Sequence, residues 1–364
     1  MSVRIFHVAL VATLLAAPLA VAQAGGSHSG THVNSSSGDG LPRTSSGEWW
    51  VDPTSDASTL RLGFRVALTG SGTSWNTIDV SLDRLPGLDR QLLKGRDGAT
   101  SFDIKRDAGT FHATGKFTKR RGSGRFTFEA DPAYARELEK RGIGRPASGQ
   151  QLTLAMHDVG LAFIDALSAQ QYPRPTVDVL VQFGWHGVTR EYVDGLARLG
   201  HRLGELGALI EARDHGVSLD YIADMQRLGF DKLSIEELIE ARDHGVGPEY
   251  VAAMTASGRE KLSIEELIKA RDHGVDAEFA AELSAAGLKD FGYEDLIRAR
   301  DHGVDGNFAA ELSTAGYANL TLDQLIRARD HGVTGRQARK INAKLGRRTT
   351  FDELVRIVDR GGLD

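Results

Sequence analysis

Two different patterns of hydrophobic and polar positions divide the chain into an N-terminal and a C-terminal part. In the N-terminal part apolar residues alternate with polar ones, as in the run Leu60, Leu62, Phe64, Val66 and Leu68. Such alternation is typical of half-buried strands in an antiparallel sheet. In the C-terminal part the apolar residues recur at helical spacing within short segments. We therefore expect an α+β, multidomain chain in which a small antiparallel β-rich domain is followed by helices.

The β-rich domain is predicted to cover residues 48–146 and to end in a helix. Residues 119–124 separate its last two alternating runs and predict a hairpin turn. Asp131 and Pro132 then suit the N-cap and the first position of a helix that ends near Gly142.

Two tryptophans, Trp49 and Trp50, open this domain. Exposed indole rings would suit a sugar or a peptide, but we favour a place in the core for both. The Ser, His and Asp residues of the domain form no recognisable nucleophile elbow and no carboxylate pair.

A strict interval of 29 residues separates the histidines of the C-terminal part, which are His157, His186, His215, His244, His273, His302 and His331. A fixed period of this length is the signature of stacked supersecondary units. We therefore predict an α-solenoid of 29-residue helix-turn-helix repeats over residues 147–364.

One central repeat illustrates how each unit is built. Ser234 and Glu237 form a capping box at the start of its first helix. That helix ends in Arg-Asp-His-Gly-Val at residues 242–246, where the glycine suits the left-handed position that follows a helix. A second helix begins at Pro248 and ends near Gly258. The first helix is expected eight times and the second seven times, each with about eleven residues.

Helices this short are marginal alone, so each must bury its apolar face against its neighbours. Two columns of apolar residues recur along the second helix of each repeat. The aromatic column contains Phe163, Tyr192, Tyr221, Tyr250, Phe279 and Phe308, and the aliphatic column contains Leu167, Leu196, Met225, Met254, Leu283, Leu312 and Ile341. Such columns predict a continuous core between stacked repeats.

The N-terminal end of the chain has the pattern of an export signal. Residues 1–24 combine Arg4 with an apolar stretch too short to cross a bilayer and with small residues before the expected cleavage site. Residues 25–47 are rich in glycine and serine and predict a disordered leader. We therefore expect an exported bacterial protein, periplasmic or extracellular, with no transmembrane segment in the mature chain.

Charge and composition narrow the chemistry. A net charge of −5 does not favour nucleic acid as a partner. The absence of cysteine excludes disulfides, thiolate nucleophiles and zinc–thiolate sites. The 12 histidines suggest metal chemistry at first, but equivalent histidines on stacked helices would lie about 9–10 Å apart. One metal ion with bonds of about 2 Å cannot bridge that distance, so we expect neither a metal nor another cofactor.

Three interpretations compete for the Asp-His pair of the repeats. Catalysis or metal binding is the first, but neighbouring side chains point about 100° apart on a helix and so form no dyad. The second is structural and is favoured, because an acid at the negative end of a helix needs an Arg or His partner from an adjacent repeat. The third is a charged binding ridge that responds to pH through its histidines. The repeat positions concerned are Asp214, His215, Gly216, Asp243, His244, Gly245, Asp272, His273, Gly274, Asp301, His302, Gly303, Asp330, His331 and Gly332.

The penultimate repeat is strongly basic. Its basic side chains are either a partner-binding patch for an anionic molecule or a solvated polar cap, and they are Arg336, Arg339, Lys340, Lys344, Arg347 and Arg348.

Several segments together resemble a group of bacterial exported proteins that have no assigned activity. They are the runs at residues 109–111 and 122–128, the His-Asp-Val-Gly segment at residues 157–160, and the repeated Asp-His-Gly-Val units. The resemblance covers residues 48–364, and similar regions follow the membrane part of some zinc metallopeptidases of the beta-lactam-sensor type. The metallopeptidase motif His-Glu-x-x-His and its membrane helices are absent from this sequence. The resemblance therefore transfers no catalytic residue and implies an extracytoplasmic sensing or interaction module.

Three functions remain open at this point. The leading one is a non-enzymatic exported module that binds a protein or peptide of the cell envelope through its repeat surface, since solenoids present long surfaces. The alternative is a sensor or inhibitor domain for a small cell-envelope ligand, which a polar pocket between the β-rich domain and the helices would favour. A hydrolase activity in the β-rich domain is the third.

Overall fold

The computed structural model describes residues 45–52, 59–68, 72–256, 262–288 and 291–362. The predicted signal peptide lies outside the described residues, as does the predicted leader up to residue 44. The end of that leader prediction is wrong, because a strand begins at Ser46. Ser46 and Gly47 pair with a later strand, and Gly47 leaves no room for a Cβ beneath the ring of Phe126.

One six-stranded antiparallel sheet forms the N-terminal side of the described chain, as the alternation predicts. Its strands are β1 (Ser46–Asp52), β2 (Thr59–Ala67), β3 (Thr73–Ser81), β4 (Gly98–Arg106), β5 (Gly109–Thr118) and β6 (Arg121–Ala130). They lie in the order β3-β2-β1-β6-β5-β4, so the sheet consists of two three-stranded meanders joined by the pairing of β1 with β6. A 3-10 turn (Leu82–Arg84) and a short helix, α1 (Arg90–Leu93), connect β3 to β4.

The inner face of the sheet holds an aromatic core. Phe64 lies 4.9 Å from Phe111, centroid to centroid, and Trp49 meets Phe102 edge-on at 5.1 Å. The prediction of a core position is therefore confirmed for Trp49, which is 1% exposed. It is wrong for Trp50, because neighbouring strand residues face opposite sides of a sheet. Trp50 lies half-buried on the outer face, over Gly63.

The hairpin between β5 and β6 is tighter than the predicted turn at residues 119–124. Only Lys119 and Arg120 form the turn, with φ of 49° and 68°. Positive φ at both central residues is the geometry of a type I′ turn, whose twist matches that of the flanking strands. The glycines of the predicted turn lie in β6, where Gly124 faces Gly115 at a close approach of the two backbones.

Repeated helices make up the remainder of the described chain, after a helix α2 (Pro132–Lys140) that directly follows the sheet. The first helices of successive pairs are α3 (Ser148–Met156), α5 (Val177–Trp185), α7 (Leu206–Asp214), α9 (Ile235–Asp243), α11 (Ile264–Asp272), α13 (Tyr293–Asp301), α15 (Leu322–Asp330) and α17 (Phe351–Asp359). The second helices are α4 (Leu161–Ala169), α6 (Arg190–Arg198), α8 (Leu219–Arg227), α10 (Pro248–Ala256), α12 (Ala277–Ala285), α14 (Gly306–Thr314) and α16 (Gly335–Leu345). First helices pack on first helices, as α3 packs on α5. Second helices pack on second helices, as α12 packs on α14.

Most of these helices are shorter than predicted, with nine residues in α9 for example, whereas α16 has the expected eleven. The capping box of Ser234 and Glu237 is present at its start. At its end, the N–H of Val246 donates to the Ala241 carbonyl at 2.8 Å, and the N–H of Gly245 donates to Arg242 at 3.0 Å. This is a Schellman turn, and the φ of 72° at Gly245 is the left-handed conformation that it requires. The turn ends α9 before the eleven residues that the pattern suggested.

Helix α2 starts and ends as predicted, with Asp131 as its N-cap and Gly142 in the left-handed region at φ 71°. One of its contacts belongs to the pattern of the second helices. The Tyr134 hydroxyl donates to the Val159 carbonyl at 2.6 Å, and the Tyr192 hydroxyl of α6 donates to Val217 at 2.8 Å. Tyr134 also lies 29 positions before Phe163 of the aromatic column.

No single helix of the described residues is long and apolar enough to cross a membrane. One bent pair, α3 with α4, meets the requirements of length and composition only when its two helices are counted together. Most side chains of these two helices are buried in the core.

Candidate functional site

The Asp-His pair of each repeat joins that repeat to its neighbours. The histidine that follows one first helix contacts, through Nδ1, the Asp that ends the next first helix, at 2.6 to 3.0 Å. The six pairs, which we call the His–Asp ladder, are His186–Asp214, His215–Asp243, His244–Asp272, His273–Asp301, His302–Asp330 and His331–Asp359. The predicted inter-repeat partner of each Asp is therefore a His, and adjacent Asp and His residues point to different repeats.

The arginine before each Asp makes a second contact between repeats. The guanidinium of Arg242 lies 5.1 Å from the ring centroid of Tyr221 in the preceding repeat, within cation–π range. The same contact recurs for Arg213, Arg271, Arg300 and Arg329. The Tyr221 hydroxyl donates to the Val246 carbonyl at 3.0 Å, which adds a third contact. The motif at residues 242–246 thus contacts the preceding repeat in three ways. Asp243 binds a His, Arg242 lies over an aromatic ring, and the Val246 carbonyl accepts a hydrogen bond from a Tyr hydroxyl.

The ladder is open to solvent, since 40% of the His215 side chain and 46% of the Asp243 side chain are exposed. The hydrogen bond to Asp243 raises the pKa of His215 above its ordinary value. Among the described residues, no group of three or more His, Asp or Glu side chains has the arrangement of a metal site. The ladder therefore offers pairs of a base and an acid along an exposed edge.

The six basic residues of the penultimate repeat are all exposed, on α16 and in the segment that follows it. Arg347 forms an ion pair with Glu353, and Arg348 donates to the Gly316 carbonyl at 2.8 Å. The remaining four lie on α16, and they are Arg336, Arg339, Lys340 and Lys344.

A second candidate site, which the sequence did not predict, is a cleft of about 600 Å³ between the sheet and the first helix pairs. We call it the junction cleft. It lies between β3, the end of β4, and the two turns that join α3 to α4 and α5 to α6. Its polar and charged lining includes Asn76, Asp79, Arg84, Lys105, Arg106, Asp107, His157, Asp158, Arg190 and Glu191.

Two buried side chains of the junction cleft have polar atoms without a partner. Asn76 is 1% exposed, and its Nδ2 donates to the Met156 carbonyl at 2.8 Å, but its Oδ1 accepts no hydrogen bond. The Arg106 side chain is 5% exposed, and its Nη1 donates to Asp158 at 2.8 Å, but its Nε donates to no acceptor. Buried polar atoms are nearly always paired, so these two exceptions in one cleft are informative.

The turn that joins α3 to α4 is held against the sheet by two acids. Asp158 occupies the place of the usual glycine, in the left-handed region at φ 54°, and binds Arg106 of β4. Asp107 accepts from the N–H of Leu161 at 2.8 Å and so satisfies the start of α4. These contacts fix the wall of the junction cleft on its helical side.

Histidine 157 is the member of the 29-residue series that faces the junction cleft. Burial lowers the pKa of His157 to about 4, so its imidazole is neutral at physiological pH. A Cβ on Gly184 would lie 2.9 Å from the His157 Cβ, which shows how closely α5 packs against this ring. The same repeat position is therefore exposed and paired with an acid at His215, but half-buried beside α5 at His157.

One signal in the sequence pointed to the junction cleft. Asn76 lies at period two with Ile78 and Val80, so the alternation places it on the inner face of β3. A polar side chain at a core position needs a partner or a function. The other lining residues come from segments that are far apart along the chain, and no local pattern joins them.

No protein-family model and no curated protein matches this chain.

Proposed function

We propose that this chain is an exported, non-enzymatic recognition protein that binds a small polar ligand of the cell envelope in the junction cleft. The observation that carries the proposal is the pair of buried, unpartnered polar atoms, Asn76 Oδ1 and Arg106 Nε, in the lining of one cleft. An unsatisfied buried donor or acceptor costs about 1–3 kcal/mol. A ligand that supplies both missing partners recovers that cost on binding.

The repeated helices serve in this proposal as a rigid α-solenoid of 29-residue repeats. Each Arg-Asp-His-Gly-Val motif contacts the preceding repeat through its Arg, its Asp and its Val carbonyl, as Arg242, Asp243 and Val246 do. Helix α2 is the first second helix of the array, because Tyr134 makes the contact that tyrosines make in later repeats. The solenoid then begins at Asp131, at the end of the sheet, and forms one wall of the junction cleft.

A second candidate function is the binding of an envelope protein or peptide along the repeat surface. The observation that favours it is the regular exposed edge of the His–Asp ladder, with the basic face of α16 beyond it. Reversal of charge at Arg336, Arg339 and Lys340 tests this candidate. A partner recovered from a periplasmic extract by the wild-type chain should be lost with the triple glutamate variant. Equal recovery by both proteins argues against a partner on α16.

The junction cleft is tested by the small molecules that the protein retains during purification. The chain is purified from an exporting host and unfolded, and the released molecules are identified by mass spectrometry. Ala162 lines the junction cleft and is exposed, so Ala162→Trp fills the cleft without entering the core. The control is Ala310→Trp, an exposed alanine of the distant helix α14. A molecule released by the wild type and the control, but not by Ala162→Trp, supports the proposal; equal release from all three proteins, or none, contradicts it.

A further inference from the structure

We infer that the ligand of the junction cleft is a small hydroxylated oxyanion, whose acid group binds Arg106 and Arg84 and whose O–H or N–H group donates to Asn76. This inference rests on the proposed function and adds the chemical class of the ligand. Three features of the lining carry it, which are the free Nε of Arg106, the second guanidinium beside it, and the free Oδ1 of Asn76.

The first feature fixes the need for an acceptor. Arg106 already donates from Nη1 to Asp158, at 2.8 Å, while its Nε remains unpaired in a side chain that is 5% exposed. A guanidinium has no acceptor atom, so only an acceptor from the ligand satisfies this N–H group. Oxyanions are the preferred acceptors because charge-assisted hydrogen bonds are shorter and stronger than neutral ones.

The second feature favours negative charge on that acceptor. Burial lowers the pKa of Arg106, the charge of Asp158 opposes this change, the positive charge of nearby Arg84 adds to it, and the charge of Asp107 opposes it. Arg84 lines the cleft and forms no ion pair within the described part of the chain. Two neighbouring guanidinium groups repel each other, and an oxyanion between them removes that repulsion.

Three of the four acids of the lining already have partners. Asp79 is paired with Arg61 at 3.1 Å, and Asp107 accepts the N–H of Leu161 at 2.8 Å. Asp158 is the partner that Arg106 already has. The fourth acid, Glu191, is exposed at the start of α6. A ligand oxyanion therefore meets Arg84 and the Nε of Arg106 while the exposed carboxylates of Asp79, Asp107 and Asp158 keep their present partners.

The third feature requires a donor on the same ligand. The Met156 carbonyl accepts only, so the amide of Asn76 must point its Nδ2 there, which leaves its Oδ1 without a donor. A hydroxyl or amino group next to the acid group fits, as in a sugar acid or a sugar phosphate.

Calorimetric titration of the full chain with four probes tests the acid group and the hydroxyl group of the ligand separately. Acetate carries only the acid group, glucose only hydroxyl groups, and glucuronate and glucose 6-phosphate carry both. At least one of the two acidic sugars should bind ten-fold or more tightly than glucose and than acetate. Arg84→Gln should weaken that binding at least ten-fold. The control Arg90→Gln, an exposed arginine of α1 outside the lining, should leave it unchanged.

The results identify which acid group the ligand carries. They also separate a failure of this inference from a failure of the proposed function. Tighter glucuronate identifies a carboxylate, and tighter glucose 6-phosphate identifies a phosphate; both results support the inference. Glucose equal to the acidic sugars, no binding of any probe, or no effect of Arg84→Gln overturns it. If a neutral molecule is nevertheless released from the wild type and not from Ala162→Trp, the proposed function stands and only the ligand class is wrong.

Discussion

The first helix pairs and the central repeats share one geometry but use the same positions differently. In the central repeats the first helix ends in Arg-Asp, as in Arg242 and Asp243, and both side chains bind the preceding repeat. In the first two pairs those positions hold Ala155 with Met156 and Gly184 with Trp185. The ladder consequently begins at His186, because Trp185 holds the position of the Asp that would pair with His157.

This difference accompanies a change in what the first helix contacts, because α3 packs against strands as well as against α5. At the sheet, α3 is held by side chains from the β strands, as the Met156 carbonyl is by Asn76. Gln151 donates to the Ala108 carbonyl at 2.8 Å in the same region. These contacts hold α3 against the sheet, and His157 and Asp158, which follow α3, line the junction cleft.

The largest expected effect that tests this comparison is the response of His157 to acid. Its folded-state pKa of about 4 lies below the ordinary value of His. The unfolded chain therefore binds the proton first, and stability is lost as the pH falls from about 6.5 to about 4. Measured by urea unfolding at pH 7 and pH 4.5, the wild type should lose about 2–3 kcal/mol more than His157→Gln.

The control for this measurement is His215→Gln in the central repeats, which should not reduce the loss at pH 4.5. An acid response that is the same in wild type and His157→Gln would mean that the His157 ring is not enclosed. The two regions would then differ in sequence but not in the environment of the histidine.

Sequence predicted the helix array closely because its information is local and repeated. Capping boxes such as Ser234 with Glu237, and the glycine that follows each His, mark both ends of a helix within a few residues. Asp131 and Pro132 were predicted as the N-cap and the first position of α2, but that prediction did not include the phase of α2 with the repeats. Tyr134 was the available signal, since it precedes Phe163 by the repeat length.

The junction cleft was beyond prediction for a physical reason. Its chemistry depends on Asn76 from β3, Arg106 from β4 and His157 from a helical turn, which only the packed fold brings together. Their free polar atoms become unusual only once burial is known. Besides the polar Asn76 at a core position, the departures from the periodic motif at Gly184 and Trp185 are the sequence features that indicate this place.

A second prediction places the Arg of the central motif at the equivalent position in the second helix pair. Gly184→Arg introduces the residue of the central repeats, but its Cβ would lie 2.9 Å from the Cβ of His157. We expect a loss of about 1–3 kcal/mol in unfolding free energy, as for other overpacked sites. Gly207→Arg in α7 is the matched control, because a Cβ there meets no atom within 4 Å. The control should gain up to about 1 kcal/mol, and an equal effect of both variants would contradict the comparison.

A third, smaller effect is expected from the tyrosine hydroxyls between repeats. Tyr221→Phe removes the hydrogen bond to the Val246 carbonyl and should cost about 1 kcal/mol of unfolding free energy. The chain contains its own comparison, since Phe308 occupies the equivalent position and keeps the contact with Arg329. Phe308→Tyr should therefore be neutral or stabilising. If Tyr221→Phe leaves the free energy of unfolding in urea unchanged, the hydroxyl contributes nothing to the contact between these repeats.

The smallest expected effect concerns a single pair of the His–Asp ladder. Exposed ion pairs contribute little, so Asp272→Ala and Asp243→Ala should each lower the melting temperature by only about 1–3 °C. The direction of the change in melting temperature is informative. Removal of an acid without a partner from the negative end of a helix raises stability, so a lower melting temperature indicates that the pair with His is stabilising. The control is Glu240→Ala, an exposed acid on the same helix as Asp243.

The pH dependence of the Asp243 variant completes this test and is opposite in sign to that of His157. Asp243 raises the pKa of His215, so the pair contributes fully below the unfolded pKa of about 6.5. Its contribution is lost as the pH rises through the raised value. Asp243→Ala should therefore lower the melting temperature more at pH 5.5 than at pH 8.5. An unchanged or raised melting temperature at pH 5.5 would mean that the ladder does not hold the repeats together, and that the Arg contacts and the tyrosine hydroxyls suffice.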